Sequence, residues 1–199
     1  MHVCFFENSF FNSISYLVEV ENKLILIDPS NEEQFLELIE KSIHEPSYIF
    51  LTHEHIDHIQ GIVYLKDKYK HVKIVATEHT SKSIVDPKKN LSLFHGFEFV
   101  GIEADILINN NYELEIDKTK INLIPCKGHS LGGMFININN AIFTGDEFIY
   151  ELKTVTKLPG GNINEVSNSF DFLNSNFDGN TILYPGHGKK FILEALKIW

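Results

Sequence analysis

The chain has 199 residues, a formal net charge of −10 and two cysteines, Cys4 and Cys126. Its 17 basic residues are all lysines, which argues against the concentrated cationic surface that nucleic-acid binding requires. Two cysteines do not make a disulfide framework, and no apolar run approaches the roughly 20 residues of a membrane span. We therefore expect one domain over residues 1–199, in a cytoplasmic protein.

Predicted strands and helices alternate in the first half of the chain. Apolar and alternating runs predict strands at about 3–6, 14–20, 23–28, 48–51 and 73–76. Helical spacing predicts a helix capped by Ser30 or Asn31, a second at about 58–69 and a third near 79–86. The first of these helices has an apolar stripe formed by Phe35, Leu36, Ile39 and Ile43.

The second half begins with several predicted strands. Short strands are expected over 98–125, around turns at 109–111 and 117–118, followed by a hairpin of strands at 134–138 and 141–144. A helix at about 164–175, a strand at 181–184 and a final helix at 189–197 complete the chain. This order of elements predicts the α/β class, with two sheets packed face to face and helices outside.

The most informative stretch is Thr52–His58, which places three histidines and one aspartate directly after a predicted strand. In an extended segment alternate side chains share a face, so His53, His55 and Asp57 can converge while His58 approaches from another side. Imidazole suits zinc and other borderline metals, and a catalytic site needs an open coordination position. The stretch therefore predicts a catalytic metal site, with ligands that can be divided between two ions.

Three later segments offer further ligands just past the ends of short apolar strands. They are Gly128-His129, Gly145-Asp146 and Gly186-His187. Glycine lets the backbone turn sharply and leaves room for an ion. A Gly-Asp pair at a strand end is usually an ordinary turn, but the ordered set strengthens the prediction of a metal site.

The complete motif resembles that of the metallo-β-lactamase-fold hydrolase superfamily: His-x-His-x-Asp-His, then Gly-His, then Gly-Asp, then a last His, here over residues 53–187. The resemblance implies that fold's four-layer αββα sandwich and two Zn²⁺ ions per chain, with iron or manganese as alternatives. The implied ligands are His53, His55 and His129 for one metal, Asp57, His58 and His187 for the other, and Asp146 as the bridge between them.

Within the superfamily the chain resembles short single-domain glyoxalase II-like (hydroxyacylglutathione hydrolase-like) proteins. The similar features are Pro185-Gly-His-Gly, a Cys126 three residues before His129, and Leu158-Pro-Gly-Gly. Lys127 departs from the usual proline, and the arginine that commonly precedes Leu158-Pro-Gly-Gly is absent. We also expect no helical C-terminal domain of the kind that carries much of the glutathione site in two-domain members, so substrate identity does not carry over with the metal site.

This resemblance favours a dinuclear zinc hydrolase in which a metal-bound hydroxide is the nucleophile and Asp57 is the catalytic residue that orients it. A thiolate leaves readily next to zinc, so thioesters are the first expectation, with lactones and other activated esters behind them. The same fold also hosts a mononuclear iron persulfide dioxygenase, and motif spacing alone leaves that alternative open, as it does a lactonase.

Residues 91–99 crowd three aromatic side chains and His95 around a glycine. This segment is either a loop that covers the edge of the core or a hydrophobic wall over the metals. On the second interpretation Phe94, Phe97 and Lys127 line the substrate entrance. The expected partner is a small-molecule substrate, with neither nucleic acid nor membrane, and formation of a homodimer is left open.

Overall fold

The computed structural model describes residues 1–198. One group of strands comprises β1 (His2–Glu7), β2 (Ile14–Val20), β3 (Lys23–Ile27), β4 (Pro46–Phe50), β5 (Lys73–Thr77) and β6 (Ile106–Ile108). The other comprises β7 (Tyr112–Ile116), β8 (Thr119–Pro125), β9 (Met134–Ile138), β10 (Ala141–Gly145), β11 (Ile182–Pro185) and β12 (Phe191–Ile192). They form two six-stranded sheets, with the orders β1-β2-β3-β4-β5-β6 and β12-β11-β10-β9-β8-β7.

Four α-helices accompany the sheets in the described part of the chain: α1 (Glu33–Lys41), α2 (Ile62–Lys68), α3 (Glu78–Ile84) and α4 (Ile163–Asn176). Short 3₁₀ turns cover Ile56–His58, Leu93–His95 and Leu193–Ala195. Over residues 1–198, no helix combines the length and the apolar character that crossing a membrane requires.

Three apolar clusters fill the spaces between the layers. Between the sheets, Ile25 and Phe50 of the first sheet pack with Ile136 and Phe143 of the second. Because side chains alternate along a strand, the outer face of the first sheet packs against α1, α2 and α3, and the outer face of the second sheet packs against α4. The predicted four-layer αββα sandwich is therefore confirmed.

The strand directions place several loops at one edge of the sandwich. β3, β4, β5 and β6 run parallel to one another, and β10 runs parallel to β11. β8 and β10 both run antiparallel to β9, so they share a direction. The histidines and aspartates of the motif lie in the loops at the carboxyl ends of β4, β8, β10 and β11.

Most predicted elements are present within a few residues, and the hairpin of β9 and β10 is confirmed. The predicted final helix at 189–197 is wrong: Phe191 pairs with Leu183 as an edge strand, and a 3₁₀ turn follows. Phe191, Leu193 and Leu196 are buried against the outer face of the second sheet. An apolar, lysine-flanked segment of this length is compatible with helix or strand, and sheet pairing decides the outcome.

Three details of the helices also differ from expectation. The N-cap of α1 is Glu32 rather than Ser30 or Asn31, while Ser30 accepts a hydrogen bond from the Glu32 backbone N–H at 3.1 Å. Ile43 lies beyond the end of α1 and is exposed, so it does not extend the apolar stripe. The helix predicted at 58–69 is split into a 3₁₀ turn at Ile56–His58 and α2 from Ile62.

Candidate metal centre

One group of three histidines brings its ring nitrogens close together. His53 Nε2 lies 3.1 Å from His55 Nδ1, and His129 Nε2 lies 3.0 Å from the same His55 atom. All three residues are buried. Ligand atoms at about 2.1 Å from a tetrahedral zinc ion lie roughly 3.4 Å from one another. The spacing of these nitrogens is close to that of a coordination shell, and the three residues form a group that could hold a metal.

The second group combines one carboxylate with two imidazoles. His187 Nε2 lies 3.2 Å from Asp57 Oδ2, and His58 Nε2 lies 3.4 Å from the same oxygen. The ligand atoms of Asp57, His58 and His187 all lie within 4.8 Å of one another. This group is also capable of holding a cation.

Asp146 lies between the two groups. Its Oδ1 is 3.4 Å from His58 Nε2, and its Oδ2 is 3.3 Å from His187 Nε2 and 3.8 Å from His129 Nε2. Asp146 Oδ1 and His58 Nε2 are both buried and have no hydrogen-bond partner. Buried polar atoms without partners are costly, so their presence side by side is an observation in favour of a cation between them.

Hydrogen bonds behind the cluster determine which ring nitrogen faces it. The Val155 carbonyl accepts from His129 Nδ1 at 2.9 Å, which leaves His129 Nε2 unprotonated toward the cluster. Thr52 Oγ1 donates to Asp28 Oδ2 at 2.5 Å and lies 3.0 Å from His53 Nδ1. The threonine oxygen therefore accepts from Nδ1, and His53 Nε2 is free to bind a metal.

Asp28, which the sequence motif does not include, lies behind the cluster and contacts Thr52 and His58. It follows β3, has a φ of 48° and is 2% exposed. Its Oδ1 accepts from the Thr52 backbone N–H at 2.7 Å, and its Oδ2 lies 3.0 Å from His58 Nδ1. A carboxylate behind a metal-facing histidine fixes the ring orientation and tautomer. The available signal was an aspartate directly after an apolar strand.

Two buried glutamates hold the surrounding loops. Glu147 Oε2 accepts from the His129 backbone N–H at 2.8 Å, and Glu54 Oε2 accepts from Ser130 Oγ at 3.1 Å and from Thr80 Oγ1 at 3.3 Å. Burial raises the pKa of Glu147 above its usual value, against the effect of the His129 N–H. Neither residue belongs to the groups of potential ligands; Glu147 holds its loop through a backbone N–H, and Glu54 holds its neighbours through two side-chain hydroxyls.

The protonation of the two groups differs. Burial and the neighbouring His58 lower the pKa of His53 well below its usual value, and burial and His129 lower that of His55 to about 4. Burial opposes the charge of His187, but hydrogen bonds with Asp146 and Asp57 raise its pKa to about 9. His53 and His55 of the first group therefore offer neutral imidazoles.

The two aspartates keep their charge despite burial. Desolvation disfavours ionisation of Asp57 and Asp146, but the attraction of His58 and hydrogen bonds from His187 hold both pKa values well below the usual range. Imidazoles beside ionised carboxylates are the donor set that zinc and related divalent ions prefer, and a bound cation would take the place of the proton on His187, so the residues present fit a pair of metals.

Gly186 is required because the chain passes close to the cluster directly after β11. A Cβ at this position would lie 2.1 Å from Asp146 Oδ1 and 2.7 Å from His58 Cε1. Any side chain would displace the carboxylate that joins the two groups. This contact gives a physical reason for the glycine that precedes His187.

An open cavity of about 310 Å³ adjoins the cluster. Besides five of the potential metal ligands, it is lined by Phe11, Ile56, Leu91, His95, Val155 and Leu158. His95 belongs to the segment 91–99 that one interpretation of the sequence places as a hydrophobic wall over the metals, whereas no sequence pattern selects Phe11, which is distant in sequence from every motif residue.

None of the three residues predicted to line the substrate entrance is among the lining residues of this cavity. Phe94 and Phe97 belong to the same segment as His95, yet neither is among the lining residues. Lys127 is exposed and lines a separate cavity with Phe172 of α4, and its backbone carbonyl accepts from Ser169 Oγ at 3.2 Å. A role in substrate binding for Phe94, Phe97 and Lys127 stays a prediction.

The fold and the arrangement of the motif are those of a known class of enzymes. A family model of the metallo-beta-lactamase superfamily matches residues 9–187, and the chain belongs to that superfamily. The hydroxyacylglutathione hydrolase of Buchnera aphidicola subsp. Baizongia pistaciae is 27% identical over an alignment 201 residues long, which covers 93% of this chain and 72% of that protein. A probable metallo-hydrolase of Streptococcus pyogenes serotype M6 is 28% identical over 181 residues, which cover 87% of this chain and 77% of that protein.

The solved structures agree on the fold. The crystal structure of the BLEG-1 B3 metallo-beta-lactamase superposes with a TM-score of 0.90 at 20% identity, and covers 98% of this chain and 95% of its own. Superfamily membership and the histidine and aspartate groups together support a metal-dependent hydrolase that acts on a small molecule.

Proposed function

We propose that the protein is a dinuclear zinc hydrolase that cleaves a thioester or a related activated ester. The observation that carries the proposal is the position of Asp146, whose carboxylate contacts His129 of one donor group and His58 and His187 of the other. A shared carboxylate of this kind suits two metal ions held close together, with an open cavity beside them.

In this proposal His53, His55 and His129 hold one metal, Asp57, His58 and His187 hold the other, and Asp146 is shared. Bound zinc would supply Lewis acidity and lower the pKa of its water to about 7. Asp57 contributes one oxygen to the second site, and its carboxylate borders the cavity, where it orients the attacking water. Asp28 and Thr52 hold the rings of His58 and His53 in the ligand orientation.

Thioesters are the proposed substrates for two reasons. The Buchnera aphidicola relative is a hydroxyacylglutathione hydrolase, and such a hydrolase acts on a thioester. The cavity is also mainly apolar and has no lysine in its lining, so its residues contact an acyl group more readily than a charged thiol.

A comparison of two thioesters tests this function. We expect zinc-loaded protein to hydrolyse S-D-lactoylglutathione and the lactoyl thioester of a small uncharged thiol with kcat/KM values within about tenfold, since that factor corresponds to only about 1.4 kcal/mol of selective binding. Steady-state kinetics with thiol detection measures both.

Each other outcome has a definite meaning. Absence of hydrolysis of both thioesters by zinc-loaded protein would contradict the proposed function. A much higher kcat/KM for the glutathione thioester would retain the function but contradict weak glutathione recognition, and the lysines beside Val155, Lys153 and Lys157, would then be the first residues to replace.

A further inference from the structure

The turn between β1 and β2 is tied to the metal centre by buried polar contacts. Asn8 Nδ2 donates to Ser13 Oγ at 2.9 Å, and Ser13 Oγ is also 2.8 Å from the Asp57 backbone carbonyl, to which it donates. The backbone of Ser13 forms a bridge with His187, and the Ile14 N–H donates to the Gly186 carbonyl at 2.7 Å. The turn at 8–13 therefore has a fixed position relative to both metal-binding loops.

Phe11, within this turn, adopts a backbone conformation that is unfavourable for an aromatic residue. Its φ is 58°, and that of Asn12 is 55°. This left-handed region is sterically unfavourable for residues other than glycine. Asparagine tolerates the conformation well, but phenylalanine does not. The Phe11 side chain is also 51% exposed, so burial in the fold does not offset the cost. Strain of this kind is typical of ligand-binding positions.

Neighbouring aromatic rings hold the Phe11 ring in place. The His95 ring lies 4.6 Å from the Phe11 ring, centroid to centroid, and the Phe10 ring lies 4.4 Å from Phe11 and 5.8 Å from Phe97. His95 ends the 3₁₀ turn Leu93–His95. These contacts connect two segments that are more than eighty residues apart in sequence and leave Phe11 facing the cavity.

The cavity lining is suited to a compact apolar group. Of the six lining residues outside the potential ligands, five are apolar, and His95 alone is polar. The volume of about 310 Å³ is at the lower end of the range for small-molecule sites. Away from the potential metal ligands, a charged group against this wall would lose hydration without finding a side chain of opposite charge.

We propose that Phe11 is the residue that selects the acyl group: its ring contacts a compact, uncharged, apolar acyl chain next to the scissile carbonyl, and His95 positions that ring. The proposal rests on the proposed hydrolase function, because it describes the acyl side of the same site. It assigns the β1–β2 turn as a specificity element.

The first test measures binding and needs no turnover. Zinc-loaded protein is titrated calorimetrically with acetate and with butyrate, which serve as product-like carboxylates. Each buried CH₂ is worth about fourfold in affinity, and butyrate has two more than acetate, so we expect butyrate to bind about 15-fold more tightly than acetate. In Phe11→Ala this ratio should fall below about threefold. Phe5→Ala is the matched control, because Phe5 is 64% exposed and does not line the cavity.

His95 is tested as a positioning residue. His95→Ala removes the ring that contacts Phe11 and should lower the butyrate-to-acetate ratio, whereas His95→Phe keeps a ring at this place and should restore it. Loss of the ratio in His95→Phe as well would show that the imidazole itself binds the ligand, which would overturn the positioning role.

Kinetics supplies the second test. Butyryl and succinyl thioesters of one small thiol are compared, and we expect the butyryl form to have at least about tenfold higher kcat/KM, through KM, with the difference reduced in Phe11→Ala. An unchanged butyrate-to-acetate ratio in Phe11→Ala, an equal loss in Phe5→Ala, or faster cleavage of the succinyl thioester would overturn the proposal.

The two proposals fail in different ways. Binding of butyrate that depends on Phe11, without cleavage of any ester, would contradict the hydrolase function and leave the assignment of Phe11 in place. Cleavage of thioesters with no dependence on acyl-chain length would contradict the assignment of Phe11 and leave the hydrolase function in place.

Discussion

Replacement of Asp146 by asparagine should remove most of the hydrolytic activity and one of the two metals. The carboxylate lies 3.4 Å from His58 Nε2 and 3.8 Å from His129 Nε2, so it contacts both donor groups. Asparagine keeps the shape but removes the negative charge and turns one acceptor into a donor. Loss of about 3 kcal/mol of transition-state stabilisation corresponds to a decrease of roughly 10²-fold in kcat/KM.

This prediction is checked by elemental analysis and steady-state kinetics on the same protein sample. Asp117→Asn is a suitable control, since Asp117 is exposed in a turn with a φ of 52° that asparagine also tolerates. An Asp146→Asn protein that retained both metals and full turnover would show that this carboxylate does not join the two sites.

Replacement of Asp28 by asparagine should weaken zinc binding by about 10–100-fold, although Asp28 is not a proposed ligand. The His58 Nδ1–H donates to Asp28 Oδ2 at 3.0 Å, and Asp28 Oδ1 accepts from the Thr52 N–H at 2.7 Å. If the asparagine oxygen keeps the bond from Thr52, its NH₂ group faces His58 Nδ1. The imidazole must then change its tautomer or move, and in either case Nε2 is less available to a metal.

Competition with a chromophoric chelator measures the zinc affinity of the Asp28 variant. Asp171→Asn is the matched control on the exposed face of α4. Wild-type affinity in Asp28→Asn, with the protein folded, would mean that the orientation of His58 does not depend on this carboxylate.

The metal-binding loops could be predicted from the sequence because each polar residue directly follows a short apolar strand. β4, β10 and β11 end at Phe50, Gly145 and Pro185, and the motif residues come within the next eight positions. Strand-end loops converge wherever neighbouring strands are parallel. The continuous apolar run of β3 likewise predicts a strand that is buried on both faces, and hence a sheet covered on both sides.

Other features depend on contacts that no local pattern contains. Asp28 follows a strand just as the motif residues do, but only the fold shows that it lies beneath His58. Phe11 reaches the cavity because Ser13 is bonded to the Asp57 carbonyl, a contact between positions 44 residues apart. The segment at 191–196 follows the sheet edge rather than its own helical pattern, because pairing with β11 satisfies backbone groups of that edge strand.

The most direct test of the dinuclear zinc hydrolase is the metal content of protein purified from its native host, measured together with thioester turnover. We predict about two zinc ions per chain, with hydrolysis that is lost on chelation and returns in proportion to the zinc restored. About one iron per chain, with oxygen consumption on a persulfide and no thioester hydrolysis, would contradict the proposal and identify the site as a mononuclear dioxygenase.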